Sequence, residues 1–177
     1  EIRVVVGYID PSAPNPNVVG VGTHPNNGMR KGSVVNIVNT AQSIDKALEA
    51  AERMSGHEIH AATVNINGAH VTGMSSKGVI AVGTQGHEIS PDDVARVEEA
   101  ATIVQLPANR EILQVTPRSY RLDGNDNIKD PVGMSGVRLE VDAHVITALV
   151  PNIRNLEKAV EMTHTTPHRL AVSSLAA

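Results

Sequence analysis

One stretch constrains the fold more than any other: "IKDPVGMSGVRLEVDAHVITA", residues 128–148. A loop with a proline and two glycines runs straight into a long strand pattern. Val137, Leu139 and Val141 share one face and Arg138, Glu140 and Asp142 the other, the period of a strand with one side in a core and one in water. "HVITALV" then turns apolar on both sides with no turn signal in between. A half-wet strand continues into a buried one. The economical explanation is an insertion. An α/β layer is interrupted at about 67–69 and resumes at about 143–145, and the long strand begins in the insert and ends in the parent sheet. The expected units are 1–68 with 144–177, and an insert at 69–143.

The flanking pattern fits a parent layer. "IRVVVGYI" (2–9) is rich in β-branched residues, reads as a buried strand and is ended by Asp10-Pro11. "VVGVGTH" (18–24) and "SVVNI" (33–37) give a second and third strand, which suggests an antiparallel meander. A helix follows from about Asn39 to Ser55, with Ile44, Ala47, Leu48, Ala51 and Met54 at helical spacing and Gly56 as its C-terminal cap. "AATVNI" (61–66) reads as a buried strand that pairs parallel with a neighbour. After the long strand, Pro151 opens a helix with Ile153, Leu156 and Val160 inward, and "HRLAVSS" (168–174) gives a last buried strand.

Inside the proposed insert, 70–83 is a Gly-rich strand region. "SPDDVARVEEAATIVQ" (90–105) opens with Ser90 as N-cap and Pro91 at the first helical position, and carries Val94, Val97, Ala101 and Val104 as its apolar stripe. "REILQVTPRSYRLDG" (110–124) is a strand whose Pro117 places it at an edge or bends it. The insert reads as strand, helix, strand, strand.

Composition removes several functions. A net charge of −4, a pI near 6.1, no Phe or Trp and only two Tyr leave neither a basic surface nor a stacking platform for nucleic acid. With no cysteine there is no disulfide or thiolate metal site. The apolar runs are shorter than the roughly 20 residues of a membrane span, and no signal peptide is visible. The start at Glu1, without an initiator Met, reads as a trimmed or partial chain.

The sequence holds no Walker A loop and no G-x-G-x-x-G, and the glycines of "VGMSG" make a tight turn before a strand or, alternatively, an assembly contact. His57 with His60, and His164 with His168, read as surface residues rather than metal ligands. Asp92, Asp93, Glu98 and Glu99 read as a solvated helix face whose first turn complements the dipole. Arg30 and Lys31 read as surface charges, with an interface role as the alternative.

"GVGTHPNNGMRKGSVVNI" before a helix, "NREILQVTPRSYRLDG", and above all "IKDPVGMSGVRLEVDAHVIT" closely resemble the FtsA family of actin-like bacterial cell-division proteins. The resemblance runs through essentially the whole chain in one order. It implies an α/β, actin-like (ribonuclease-H-type) subdomain called 1A, lacking its first strand, with an inserted α+β strand-helix-strand-strand subdomain called 1C. The family binds ATP with Mg, hydrolyses it weakly or not at all, and polymerises. It tethers the FtsZ ring to the cytoplasmic face of the membrane at the division site and recruits later divisome proteins.

By that resemblance the first strand and its phosphate-gripping turn would precede Glu1. The second phosphate loop, the adenosine pocket, the FtsZ-binding region and the amphipathic membrane helix would follow Ala177. No complete nucleotide site is then expected within these residues. Ser173 and Ser174 fall near the nucleotide cleft, where they either orient water or pack at a strand-helix junction. The insert is expected to mediate self-association or partner contact through Arg118 and Arg121 beside the Pro117 edge, and through Glu98 and Glu99 on its helix. Two rivals remain. An actin-fold ATPase or kinase would need an acidic base and phosphate loops. The pilus-assembly PilM family also carries this insert, but "KDPVGMSGVRLE" fits FtsA better.

Overall fold

β-Branched residues crowd the first strand, and the chain pairs it at once. In the computed structural model, which describes residues 1–12, 15–84 and 86–172, the order is β1 (Ile2–Tyr8), β2 (Asn17–His24), β3 (Met29–Arg30), β4 (Ser33–Val34), α1 (Ile37–Ser55) and β5 (Ala61–Ile66). Then come β6 (Thr72–Ala81), α2 (Pro91–Ala100), β7 (Arg110–Leu122), β8 (Asn125–Ile128), β9 (Arg138–Leu149), α3 (Val150–Glu161) and β10 (Thr166–Val172). The chain divides into two compact units, the first Glu1–His70 with residues from Val150 onward, the second Val71–Leu149.

In the first unit, β1 and β2 pair antiparallel, with Val4 opposite Gly22 and Val6 opposite Gly20. Those two glycines are where α1 lies down. A Cβ on Gly22 would overlap the Ala47 carbonyl oxygen, and one on Gly20 would crowd the backbone of Ala51 and Ser55. The helix is closed at both ends. The Asn36 side chain accepts the Asn39 N–H at 2.9 Å, and Gly56, at φ 73°, donates its N–H to the Glu52 carbonyl. Ile44 and Leu48 of α1 meet Ala159 and Val160 of α3 in one core, with Ile2 and Val4 of β1 and Val64 of β5 against it. β5 pairs parallel with β10, as the intervening helix requires.

The second unit is a four-stranded antiparallel sheet in the order β6-β9-β7-β8, with α2 laid across one face. Val97 of α2 and Ala101, which caps its C-terminus, both fully buried, pack on Leu139 and Val141 of β9 and on Tyr120 and Leu122 of β7. The close approach is made at Gly78 of β6, where a Cβ would overlap the Val97 carbonyl oxygen. Ser90 caps α2 as its sequence foretells. Its hydroxyl accepts the Asp93 N–H at 3.2 Å, and the Asp93 carboxylate accepts the Ser90 N–H at 3.0 Å.

The structure corrects several expectations. β9 does not pass into the parent sheet, because it pairs with β6 and β7 along its whole length, as far as Thr147 opposite Thr72 and Leu149 opposite Arg110. Its apolar second half records a central position, with Val145, Ile146, Thr147 and Ala148 all buried. The third strand shrinks to Ser33–Val34 and pairs with Met29–Arg30, not with the hairpin, since Asn36 is taken as the α1 cap. β1, β5 and β10 are not buried strands; β1 and β5 alternate half-buried with exposed residues. α2 stops at Ala100, so Val104 lies outside it. Met54 is 67% exposed and its sulfur accepts the Val21 N–H. β8 is an additional strand within the expected loop.

Candidate functional site

Two features could meet another molecule, one in each unit. In the first unit, among the described residues, β1 pairs with β2 alone and β5 with β10 alone, although β1 and β5 both pack on the core that α1 and α3 form. Between β1 and β5 runs a groove of about 550 Å³. Its floor is apolar, from Ile44, Leu48, Leu156 and Val160, and Arg3, Asn26, Lys31 and Asn65 are among its polar lining. Gly32 sits tight against Asn67, one residue past the end of β5, and both line the groove.

The loop at the end of the groove is built tightly. The Val35 and Asn36 N–H groups both donate to the Gly28 carbonyl, at 2.8 and 3.0 Å, and the Asn26 side chain accepts the Gly28 N–H. Lys31 takes the left-handed region at φ 50° ahead of Gly32 at φ 81°. Arg30 and Lys31 are both exposed, and Lys31 lines the groove. The floor is aliphatic, the α1 N-terminus is occupied by its own Asn36 side chain, and the described residues hold no group of three potential metal ligands.

In the second unit, β8 covers β7 only at Tyr120 and Leu122. The remaining outer edge of β7, from Glu111 to Ser119, has no strand partner among the described residues. Pro117 faces Ala143 of β9, and the register shifts there, between Pro117 and Ser119, and again between Ile112 and Gln114. Such irregularities blunt an edge without closing it.

The polar face of this sheet carries linked ion pairs. Lys77 meets Asp142 at 3.3 Å, Arg138 meets Glu140 at 3.0 Å, and Arg121 bridges Glu140, at 3.6 Å, and Asp126. The Asp126 hydrogen bond is the main reason the Arg121 guanidinium is held still more firmly protonated.

The residues singled out from sequence separate on inspection. Arg118 is exposed and Arg121 is engaged in the ladder just described. Glu99 is exposed, whereas Glu98 is half-buried and accepts the Tyr120 hydroxyl. Burial first, and that bond second, push the Tyr120 hydroxyl up from its ordinary value. Asp92 is exposed, but Asp93 is only 4% exposed, so the solvated-face reading fails for Asp93 and Glu98. Asp93 is held at about 2, chiefly by the Ser90 N–H and hydroxyl and then by His87, 3.2 Å away; Arg96 reaches its other oxygen at 3.1 Å. His57, His60, His164 and His168 are all exposed, as surface residues should be. Ser173 and Ser174 lie outside the described residues.

Sequence reasoning missed β8 and the split of the first sheet. A signal for β8 was present. Asp123-Gly124 between Leu122 and Asn125 is a two-residue hairpin turn, and both residues have positive φ, 49° and 87°. The split carried none, because a strand missing a neighbour reads like any other.

Comparison with known proteins adds three findings. The family described as the SHS2 domain inserted in FtsA matches residues 68–147. The chain is 43% identical over 143 residues to the cell division protein FtsA of Pseudomonas aeruginosa, covering 81% of this chain and 34% of that protein. It is 41% identical over 159 residues to FtsA of Bacillus subtilis, covering 90% and 36% respectively. The chain thus spans little more than a third of the length of these relatives. Among solved structures, a PilM-PilN type IV pilus biogenesis complex matches 98% of this chain and 45% of its own, with a TM-score of 0.63 at 15% identity. That likeness concerns the fold alone.

Proposed function

Because the chain belongs to the FtsA family, we propose that it is an assembly and interaction module of a cell-division adaptor rather than a working enzyme. The first unit is the actin-like subdomain 1A without its first strand, and the second is the inserted subdomain 1C. The supporting observation for the missing strand is the groove, where two sheet edges face each other over a shared helical floor. In the complete protein the adaptor polymerises, connects the FtsZ ring to the cytoplasmic face of the membrane at the division site and recruits divisome proteins. No described helix here is long and apolar enough to cross a membrane. ATP with Mg belongs to the complete protein as well. By calorimetric titration this chain should show no micromolar Mg-ATP binding, and a clean one-site micromolar isotherm would contradict that.

The observation that carries the assembly role is the uncovered β7 edge of the second unit, an unpaired strand edge being a template for a neighbour. Arg118 and Arg121 beside it favour an acidic partner, and Glu99 on α2 a basic one. In the complete protein, Arg118→Glu should weaken co-sedimentation on lipid and leave nucleotide affinity unchanged. Arg121→Glu should do so too, with an added loss of stability from its ion pairs to Asp126 and Glu140. Unchanged assembly in the Arg118 variant removes this edge from the contact role.

A further inference from the structure

We infer that Ser33 is a positioning residue, a clasp that ties together the two passages of the chain between the units. The turn that carries it, Arg30 to Ser33, is then the element through which both passages respond as one. The inference goes beyond the assembly role, which concerns the outer edge of the second unit.

The chain leaves the first unit after His70 and returns to it at Val150. On the second unit's side the two passages are joined by sheet. Thr72 lies opposite Thr147 in the β6–β9 ladder. The Arg110 guanidinium donates to the Thr72 hydroxyl and, at 3.0 and 3.1 Å, to the Thr147 hydroxyl and carbonyl. On the first unit's side no ladder joins them, since residues 67–70 form no strand and Val150 already begins α3. A side chain takes its place. The Asn152 amide donates to the Ser33 hydroxyl at 2.9 Å, and the same hydroxyl meets Nδ1 of His70 at 3.4 Å. One hydroxyl can serve both, because it has one proton to give and two lone pairs to accept with. His70 is buried and Ser33 and Asn152 are half-buried, so water competes poorly for these bonds.

The turn is also fitted to the outgoing passage. Arg30 lies opposite Ser33, and Lys31 and Gly32 between them both have positive φ, the signature of a two-residue hairpin turn. A Cβ on Gly32 would overlap the Asn67 carbonyl oxygen, and one on Gly68 would overlap the Lys31 carbonyl oxygen. Turn and passage therefore lie backbone against backbone, Gly32 on Asn67 and Lys31 on Gly68, with Ser33 beside His70. The returning passage reaches the same turn through Asn152. A shift of the turn that carries Ser33 away breaks its bonds to both passages in one event.

Backbone nitrogen relaxation in the 177-residue chain tests this. In Ser33→Ala, order parameters should fall from the about 0.85 of rigid backbone towards about 0.6, in residues 67–70 and 150–153 together. The amides of α1 and β9 should keep the parent's values. Ser33→Thr retains the hydroxyl and should restore both passages. Asn152→Ala cuts one arm of the clasp and should loosen 150–153 alone. Gly32→Ala, which pushes the turn off Asn67, should loosen both. Loosening of a single passage in Ser33→Ala, loss of order in α1 as well, no recovery in the Thr variant, or an equal effect of Asn152→Ala on both passages would each overturn the inference. Order unchanged in both Ser33→Ala and Gly32→Ala would overturn it too.

Discussion

The two units use the same materials, Val, Ile, Leu and Ala without Phe or Trp, and reach different degrees of closure. In the second unit the central strand β9 has a neighbour on each side, and Val97, Ala101, Leu139 and Val145 have no exposed surface at all. In the first unit β1 has one neighbour among the described residues, and Val5, Val18 and Val21 remain exposed. α1 in the first unit and α2 in the second are each capped and each seated on glycine. The difference lies in the sheet. A helix can be complete while the layer beneath it is not, because helical hydrogen bonds are local and sheet hydrogen bonds are not.

The contrast can be broken at its strongest point first. Val97→Asp places an unpaired carboxylate in the closed core and should cost about 3–5 kcal/mol. The second unit's thermal transition should drop or vanish; a melt like the parent's would mean that α2 does not pack as described. Next come paired glycine substitutions. Gly78→Ala and Gly22→Ala both drive a Cβ into a helix backbone, and overpacking costs about 1–3 kcal/mol. Gly78→Ala should cost more in urea denaturation, although the overlap at Gly22 is the deeper one, because α1 rests on a split sheet that can yield. Equal costs, or the reverse order, would show the first unit to be as rigid as the second.

Two gentler measurements sharpen the comparison. Amides of β9 should exchange more slowly than those of β1 and β5, since local opening is easiest where a strand has one partner. Finally, acid should act on the second unit through Asp93. Its folded-state value, about 2, lies below the ordinary 3.8, so its contribution is present above about pH 4 and is lost as the pH falls towards 2. In Asp93→Asn, denaturant midpoints across that window should change less with pH than in the parent; an unchanged slope would relieve Asp93 of that role.

What the sequence disclosed followed from how local each signal is. Ser90-Pro91 announces α2, and Gly56 the end of α1, because caps are made by residues within one turn. The alternation in Val137–Val141 announces β9 but not its partners, so the same letters suited a strand leaving the insert and a strand central to it. Asp93 was assigned to a wet helix face because its carboxylate folds back on Ser90 and His87, a geometry that a helical wheel does not contain. Arg118 and Arg121 were placed correctly on the β7 strand, yet the Asp126 and Glu140 that hold Arg121 come from β8 and β9. The groove was least legible of all, since it is defined by pairing between distant segments.

The Asp123-Gly124 turn bears on the order of events during folding. β7 and β8 are joined by two residues and form a hairpin, a contact made within microseconds. The same Asp123 carboxylate then accepts the Val137 and Arg138 N–H groups, at 3.1 and 2.8 Å, where β9 begins. The hairpin thus carries its own docking point for the next strand, and the closure entropy of the 123–137 loop is offset partly before β9 pairs. The same anchor sets the register. A slip of one residue would turn Leu139 and Val141 out of the core and Arg138 and Glu140 into it. Asp123→Ala should therefore slow refolding more than it speeds unfolding, the kinetic mark of a contact formed early.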